Sequence, residues 1–107
     1  MSEASMQQLM EQAKKMQDQM KQAQARIEQL RVIGEAGGGL VKITFNGLHQ
    51  AIDVYVSPTL IGEEEEMIAD LVKAAINSAV QKIEAAIKEE MGRVAKDMQL
   101  PEHFDSE

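Results

Sequence analysis

The sequence predicts an α+β fold: a long N-terminal helix, a short three-stranded antiparallel sheet and a long C-terminal helix. Three observations carry this. Apolar residues recur at heptad spacing through the first thirty positions, the middle of the chain alternates apolar and polar residues around glycine-rich turns, and the last third carries a broad helical stripe. With 107 residues the chain is read as one domain. Its helix covers about 4–31, its sheet about 32–56, its second helix about 63–98 and a loose tail 101–107.

The first helix rests on Met6, Leu9, Ala13, Met16, Met20, Ala23, Ile27 and Leu30, spaced alternately by three and four. This period of 3.5 is the coiled-coil pattern, and a narrow seam on a long helix needs a partner. The partner is the second long helix of the same chain or of another; folding back on its own domain is the plainer alternative. In the middle segment Val41, Ile43 and Phe45 alternate with Lys42 and Thr44, a half-buried strand. Asn46-Gly47 then signals a two-residue hairpin turn. The return strand runs from about His49 to Val56, with Ile52, Val54 and Val56 on one face, and Val32–Ala36 supplies a shorter third strand.

Ser57-Pro58 reads as an N-cap with proline at the first helical position. Four carboxylates, Glu63–Glu66, open the last helix at the positive end of its dipole. Ile68, Leu71, Val72, Ala75, Ile76, Ala79, Val80 and Ile83 form its apolar face; beyond Ile87 this narrows to Met91, Val94 and Met98. Pro101 ends any helix. A three-stranded sheet is too small to cover both long helices, so a homodimer or higher oligomer is expected.

Composition excludes several classes. No cysteine is present, which removes disulfides, zinc ribbons and thiol catalysis and fits a reducing, cytoplasmic compartment. No apolar run approaches a membrane span, so no membrane partner is expected. Gly37-Gly38-Gly39 is followed by a strand rather than by Lys-Ser/Thr and a helix, so it is a connection and not a phosphate loop. His49 and His103 lack companions at metal-ligand spacing. No serine sits in a nucleophile-elbow context, and the paired carboxylates are accounted for as helix surface. The expectation is a non-enzymatic protein with no cofactor and no metal.

Net charge is −7, which opposes generic binding to nucleic acid, but it is unevenly spread. Residues 1–31 hold five bases and four acids, and residues 63–107 hold five bases and twelve acids. Lys14 and Lys21 lie seven apart on one outer stripe of helix 1, with Lys15 adjoining. Such a stripe can meet phosphates. Glu11 and Asp18, three or four residues away, offer an alternative of weak local pairs. Arg93 has Glu89 and Asp97 four residues to either side. Arg26, Lys82 and Lys96 have no acid at helical pairing distance.

Taken together, these pieces resemble the YbaB/EbfC family of bacterial nucleoid-associated proteins. The resemblance is carried by Gly34-Glu35-Ala36-Gly37-Gly38-Gly39-Leu40-Val41-Lys42-Ile43-Thr44, by Asn46-Gly47, and by Ser57-Pro58 with Leu60. It continues through the acidic run, Ile68-Ala69-Asp70-Leu71-Val72 with Ala74-Ala75, and the closing Met98-Gln99-Leu100-Pro101. It implies an intertwined or tweezer-like homodimer, cytoplasmic and nucleoid-associated, that binds double-stranded DNA near the ends of its long helices. The start, Met1–Ser5, and the acidic tail, Glu102–Glu107, depart from the family pattern in ways that oppose phosphate binding. The expected function is binding of double-stranded DNA through phosphate contacts, with a chromosome-organising or regulatory role. The candidate contacts are Lys14, Lys15, Lys21, Arg26, Arg93 and Lys96. The alternative is a coiled-coil-like adaptor that grips a partner protein through the Met-rich seam.

Overall fold

A computed structural model of the chain describes residues 2–98; the expected tail at 101–107 lies outside the described residues. In chain order the elements are α1 (Glu3–Glu28), β1 (Arg31–Ala36), β2 (Val41–Asn46), β3 (Ala51–Val56), a 3₁₀ turn (Pro58–Leu60) and α2 (Glu65–Asp97). The strands form one antiparallel sheet in the order β1-β2-β3. The fold is therefore α+β, and it is elongated, measuring 75 × 26 × 16 Å.

Helix α1 starts because the Ser2 hydroxyl accepts from the Ser5 N–H at 3.2 Å, satisfying one orphan donor of the first turn. It ends at Glu28, short of where the heptad seam points. Leu30, the last seam position, has left the helix and packs against the core of the sheet. The seam thus spans two environments: its end belongs to the core and its beginning to the helix surface.

The β1–β2 connection is built from three successive glycines with φ of 64°, 68° and 98° at Gly37, Gly38 and Gly39. These are left-handed values that side chains resist. The β2–β3 connection differs from the two-residue turn expected at Asn46-Gly47. Asn46 closes β2, and its side-chain oxygen accepts from the Leu48 and Gln50 N–H groups at 2.9 and 3.0 Å. The left-handed residue is His49, with φ 61°. Glycine at 47 serves close packing instead: a Cβ there would fall 1.7 Å from the Ile27 carbonyl oxygen. The end of α1 is thereby seated on the hairpin. A bulge at Thr44/Phe45 shifts the β2–β3 register, so Phe45 faces Ala51 while Thr44 faces Asp53.

Ser57 caps the turn at Pro58 as its sequence suggests, accepting from the Thr59 N–H at 3.2 Å. Gly62, at φ 93°, redirects the chain into α2. This helix lies on the sheet at unusually short range. A Cβ on Gly34 would sit 2.2 Å from the Ala75 carbonyl and 2.3 Å from the Ala79 nitrogen, so strand and helix backbones touch. Val41, Ile43, Phe45, Leu60, Ala75, Ala79 and Ile83 form the buried core around this contact.

Strand β3 is left out of that core. Val54 and Val56 are paired with Ile43 and Val41, both buried, and directly paired residues share a face of a sheet. Yet Val54 is 56% and Val56 44% exposed. Helix α2 covers β1 and β2 and leaves the same face of β3 bare.

The glycine contacts give a sharp test. Gly34→Ala forces its methyl into helix backbone and should destabilise by about 3 kcal/mol or more. Gly38→Ala meets open space and carries only the left-handed conformational penalty, about 1 kcal/mol. Urea melts of the two variants should separate in this order.

Candidate functional site

Past the sheet, α2 continues and meets the C-terminal part of α1. Ala23 of α1 is fully buried, and Val94 and Ala95 of α2 are nearly so. Small and branched side chains let the two helices approach closely. Glu90 lies in the same buried row, with its side chain only 10% exposed. A buried carboxylate needs charged or hydrogen-bonding partners, and two arginines supply them. Arg26 of α1 donates from Nε to Glu90 Oε1 at 2.9 Å. Arg93, one turn on in α2, places Nη1 3.5 Å from Glu90 Oε2. The guanidinium side chains stay 41% and 55% exposed.

The structure thus brings two of the six candidate contacts together. Arg93 turns to Glu90 rather than to Glu89 or Asp97, and Arg26 finds its acid 64 residues away. Lys14, Lys15, Lys21 and Lys96 are exposed, and none forms an ion pair within 4.0 Å among the described residues. The local pairs that Glu11 and Asp18 offered to the helix 1 lysines do not form. Lys82, also without a local acid, donates from Nζ to the Ile33 carbonyl at 2.7 Å and so covers the outer edge of β1.

Lys14 and Lys15 lie on a part of α1 that is largely exposed among the described residues. Met6, Leu9, Met10 and Met16 are all exposed there, Met10 by 68%. The heptad seam is met by α2 only at its C-terminal end. No described helix is long and apolar enough to cross a membrane.

Two features were not singled out from sequence. Glu90 was taken as helix surface, although it continues the apolar row Ile83, Ile87, Val94 at spacings of four, three and four. An acid inside an apolar row, together with an arginine lacking any local acid, was the available signal. The bareness of β3 had none, since Val54 and Val56 have the pattern of buried residues.

The YbaB/EbfC DNA-binding family model matches residues 2–98, the whole described span. The chain belongs to this family. Nucleoid-associated proteins from the Corby and Paris strains of Legionella pneumophila are each 46% identical over 93 residues, covering 87% of this chain and 83% of theirs. The crystal structure of an uncharacterized protein from Helicobacter pylori, HP0035, superposes with a TM-score of 0.56 at 22% identity. It covers 92% of this chain and 98% of that one, and it shows that the two share a fold. In this YbaB/EbfC protein the helix junction holds a compact Arg-Glu-Arg cluster, and separate exposed lysines flank it along both helices.

These placements predict different stabilities for the two kinds of cation. Replacing Lys14, Lys15 and Lys21 together with alanine should leave the thermal midpoint nearly unchanged, within about 0.5 kcal/mol. Arg26→Ala deprives a buried carboxylate of its closest partner and should destabilise by about 1–3 kcal/mol. Calorimetric melts at low salt distinguish the two.

Proposed function

We propose that this protein binds double-stranded DNA as a homodimer, in the cytoplasm and on the nucleoid, with a chromosome-organising or gene-regulatory role. Membership of the DNA-binding family supports DNA as the ligand, as do the relatives named nucleoid-associated proteins. The observation that carries the reading is the set of unpaired lysines on the free part of α1. Lys14 and Lys21 stand about 10 Å apart along the helix axis at 1.5 Å per residue. At that separation the two side chains can meet different phosphates of the same duplex. Lys14, Lys15, Lys21 and Lys96 act as phosphate contacts, with Arg26 and Arg93 contributing the guanidinium donors that Glu90 does not occupy. Base readout has no obvious agent, so the binding is mainly independent of sequence.

The dimer reading rests on β3. This edge strand is exposed along its whole length, carries one charge, Asp53, and no proline, and turns Val54 and Val56 toward the bare side of the core. Such an edge invites pairing or covering by another chain. The opposite edge is protected, because Lys82 occupies a carbonyl of β1. A second copy of the chain, burying the apolar residues of β3, completes the core. In a dimer the summed charge is twice −7, so contact depends on local basic points and falls steeply with salt. The uncovered Met-rich seam favours a second reading, an adaptor that grips a partner protein without significant DNA binding.

Two measurements test this. Titration of a DNA duplex at about 50 and 200 mM salt should show binding that weakens steeply. A Lys14/Lys15/Lys21→Ala variant should lose about tenfold or more in affinity, with a salt slope shallower by about three. No binding at low salt would move the assignment to the adaptor. Sedimentation should give a species near twice 11.8 kDa for the parent chain and a monomer for Val54→Lys; a monomeric parent at micromolar concentration would sink the dimer.

A further inference from the structure

We infer that Glu90 is a positioning residue for phosphate binding: a buried acid that the protein needs in order to hold an anion. The inference rests on the DNA-binding reading and goes beyond it by assigning a role to a residue whose charge opposes the ligand.

Glu90 is the only charged residue buried among the described positions. Packing alone does not call for it. It continues the row Ile83, Ile87, Val94, where an apolar side chain would fit, and replacing buried ion pairs by apolar residues is often neutral or stabilising. What the carboxylate does is fix two guanidiniums from two different helices. It accepts a hydrogen bond from Arg26 Nε and forms a looser ion pair, at 3.5 Å, with Arg93 Nη1. The remaining N–H donors of each planar fork belong to side chains that are about half exposed. Two cations against one anion leave the cluster at +1, a local positive point on an acidic chain. Lys96 lies one turn beyond Arg93 along α2 and is also exposed.

Orientation is what a phosphate oxygen rewards in arginine. The guanidinium presents several donors in one plane, and a fork held in place loses little entropy when the anion arrives. A buried partner behind a contacting group supplies that restraint. The Glu90 carboxylate is the restraint for Arg26 and Arg93, and the ligand class is a phosphodiester oxygen of the DNA backbone. Glu90 itself touches no ligand. The same contact pins α1 to α2, so the acid also sets the direction from which the Lys14, Lys15 and Lys21 stripe projects.

This makes a prediction opposite to that of charge counting. Glu90→Gln changes the formal charge from −7 to −6, which by long-range electrostatics alone strengthens binding. If Glu90 positions the arginines, the variant binds a random-sequence DNA duplex about three- to tenfold more weakly at about 50 mM salt. Its salt slope is then shallower by about one. In an Arg26→Gln/Arg93→Gln background the same change no longer weakens binding, as a double-mutant cycle requires of a residue acting through those two. Thermal melts and sedimentation of each variant identify any loss that comes from unfolding. Arg26→Lys, which keeps the charge and the pairing but removes the planar fork, gives a second route and should also bind more weakly. Glu90→Gln binding as tightly as the parent or tighter would overturn the inference. So would an equal loss in both backgrounds, or Arg26→Lys binding like the parent. Failure of the parent chain to bind DNA at low salt would instead remove the reading on which the inference stands.

Discussion

The backbone of α2 lies directly on β1 at Gly34, with Ala75 and Ala79 as the facing residues, and this approach governs the rest of the molecule. A helix seated that closely on one strand cannot also reach across a three-stranded sheet. Its buried row, Ala75, Ala79 and Ile83, is small at the contact and larger beyond it, so the helix rests on β1 and β2 while β3 stays uncovered. Because α2 has 33 residues, roughly 50 Å at 1.5 Å per residue, much of it overshoots the sheet. The overshoot gives α1 a surface to dock on. Gly47 makes the matching approach at the other end, where the Ile27 carbonyl sits over the hairpin. Two glycines therefore decide where both long helices lie.

Much of this is legible in the sequence, and the reasons are local. The capping serine at 57, the glycine run, the alternation of Val41, Ile43 and Phe45 and the stripe of α2 are each encoded within a few residues, where propensity and periodicity act. Other features depend on residues far apart. Asn46-Gly47 has the composition of a tight turn, but its glycine is required by a helix that ends twenty residues earlier. Val54 and Val56 look like core, and their exposure depends on where α2 comes to rest. Glu90 pairs with Arg26 across 64 positions; periodicity places it in an apolar row but cannot name its partner. Of the six proposed contacts, the four lysines keep the exposure that their helical positions suggest. Arg93 meets Glu90 at i,i+3 spacing within α2, but Arg26 joins it from another helix, which no spacing rule on one helix could reveal.

The charge distribution turns a poor overall balance into a workable one. Beyond a Debye length, about 8 Å at physiological salt, the net charge of an acidic chain is largely screened, so contact is decided by the charges that lie within that distance. Most of the excess acid lies in the C-terminal half, beginning with the Glu63–Glu66 run at the sheet end of α2. Lys14 and Lys15 sit on α1 away from that end, on a stretch that is largely exposed among the described residues. The Glu63–Glu66 run thus stands apart from Lys14 and Lys15, while Glu3, Glu11 and Asp18 share their helix, so the bases form local positive points and not a positive end of the molecule.

The two unsatisfied surfaces differ in kind, and the difference bears on what each can bind. The bare face of β3 is apolar, flat and continuous with the core, so a second folded chain is its natural complement. The N-terminal part of α1 carries Met6, Leu9, Met10 and Met16 and the lysines, all exposed among the described residues. A helix of that kind is held in place only at its base, where Ala23 is buried and Arg26 reaches Glu90. Any ligand that engages the lysines therefore pulls on a lever whose fulcrum is the Arg26–Glu90–Arg93 cluster. Binding energy at the tip is retained only if that fulcrum resists rotation. On the DNA-binding reading, that demand would give the buried charged cluster at the helix junction a purpose that plain apolar packing does not serve.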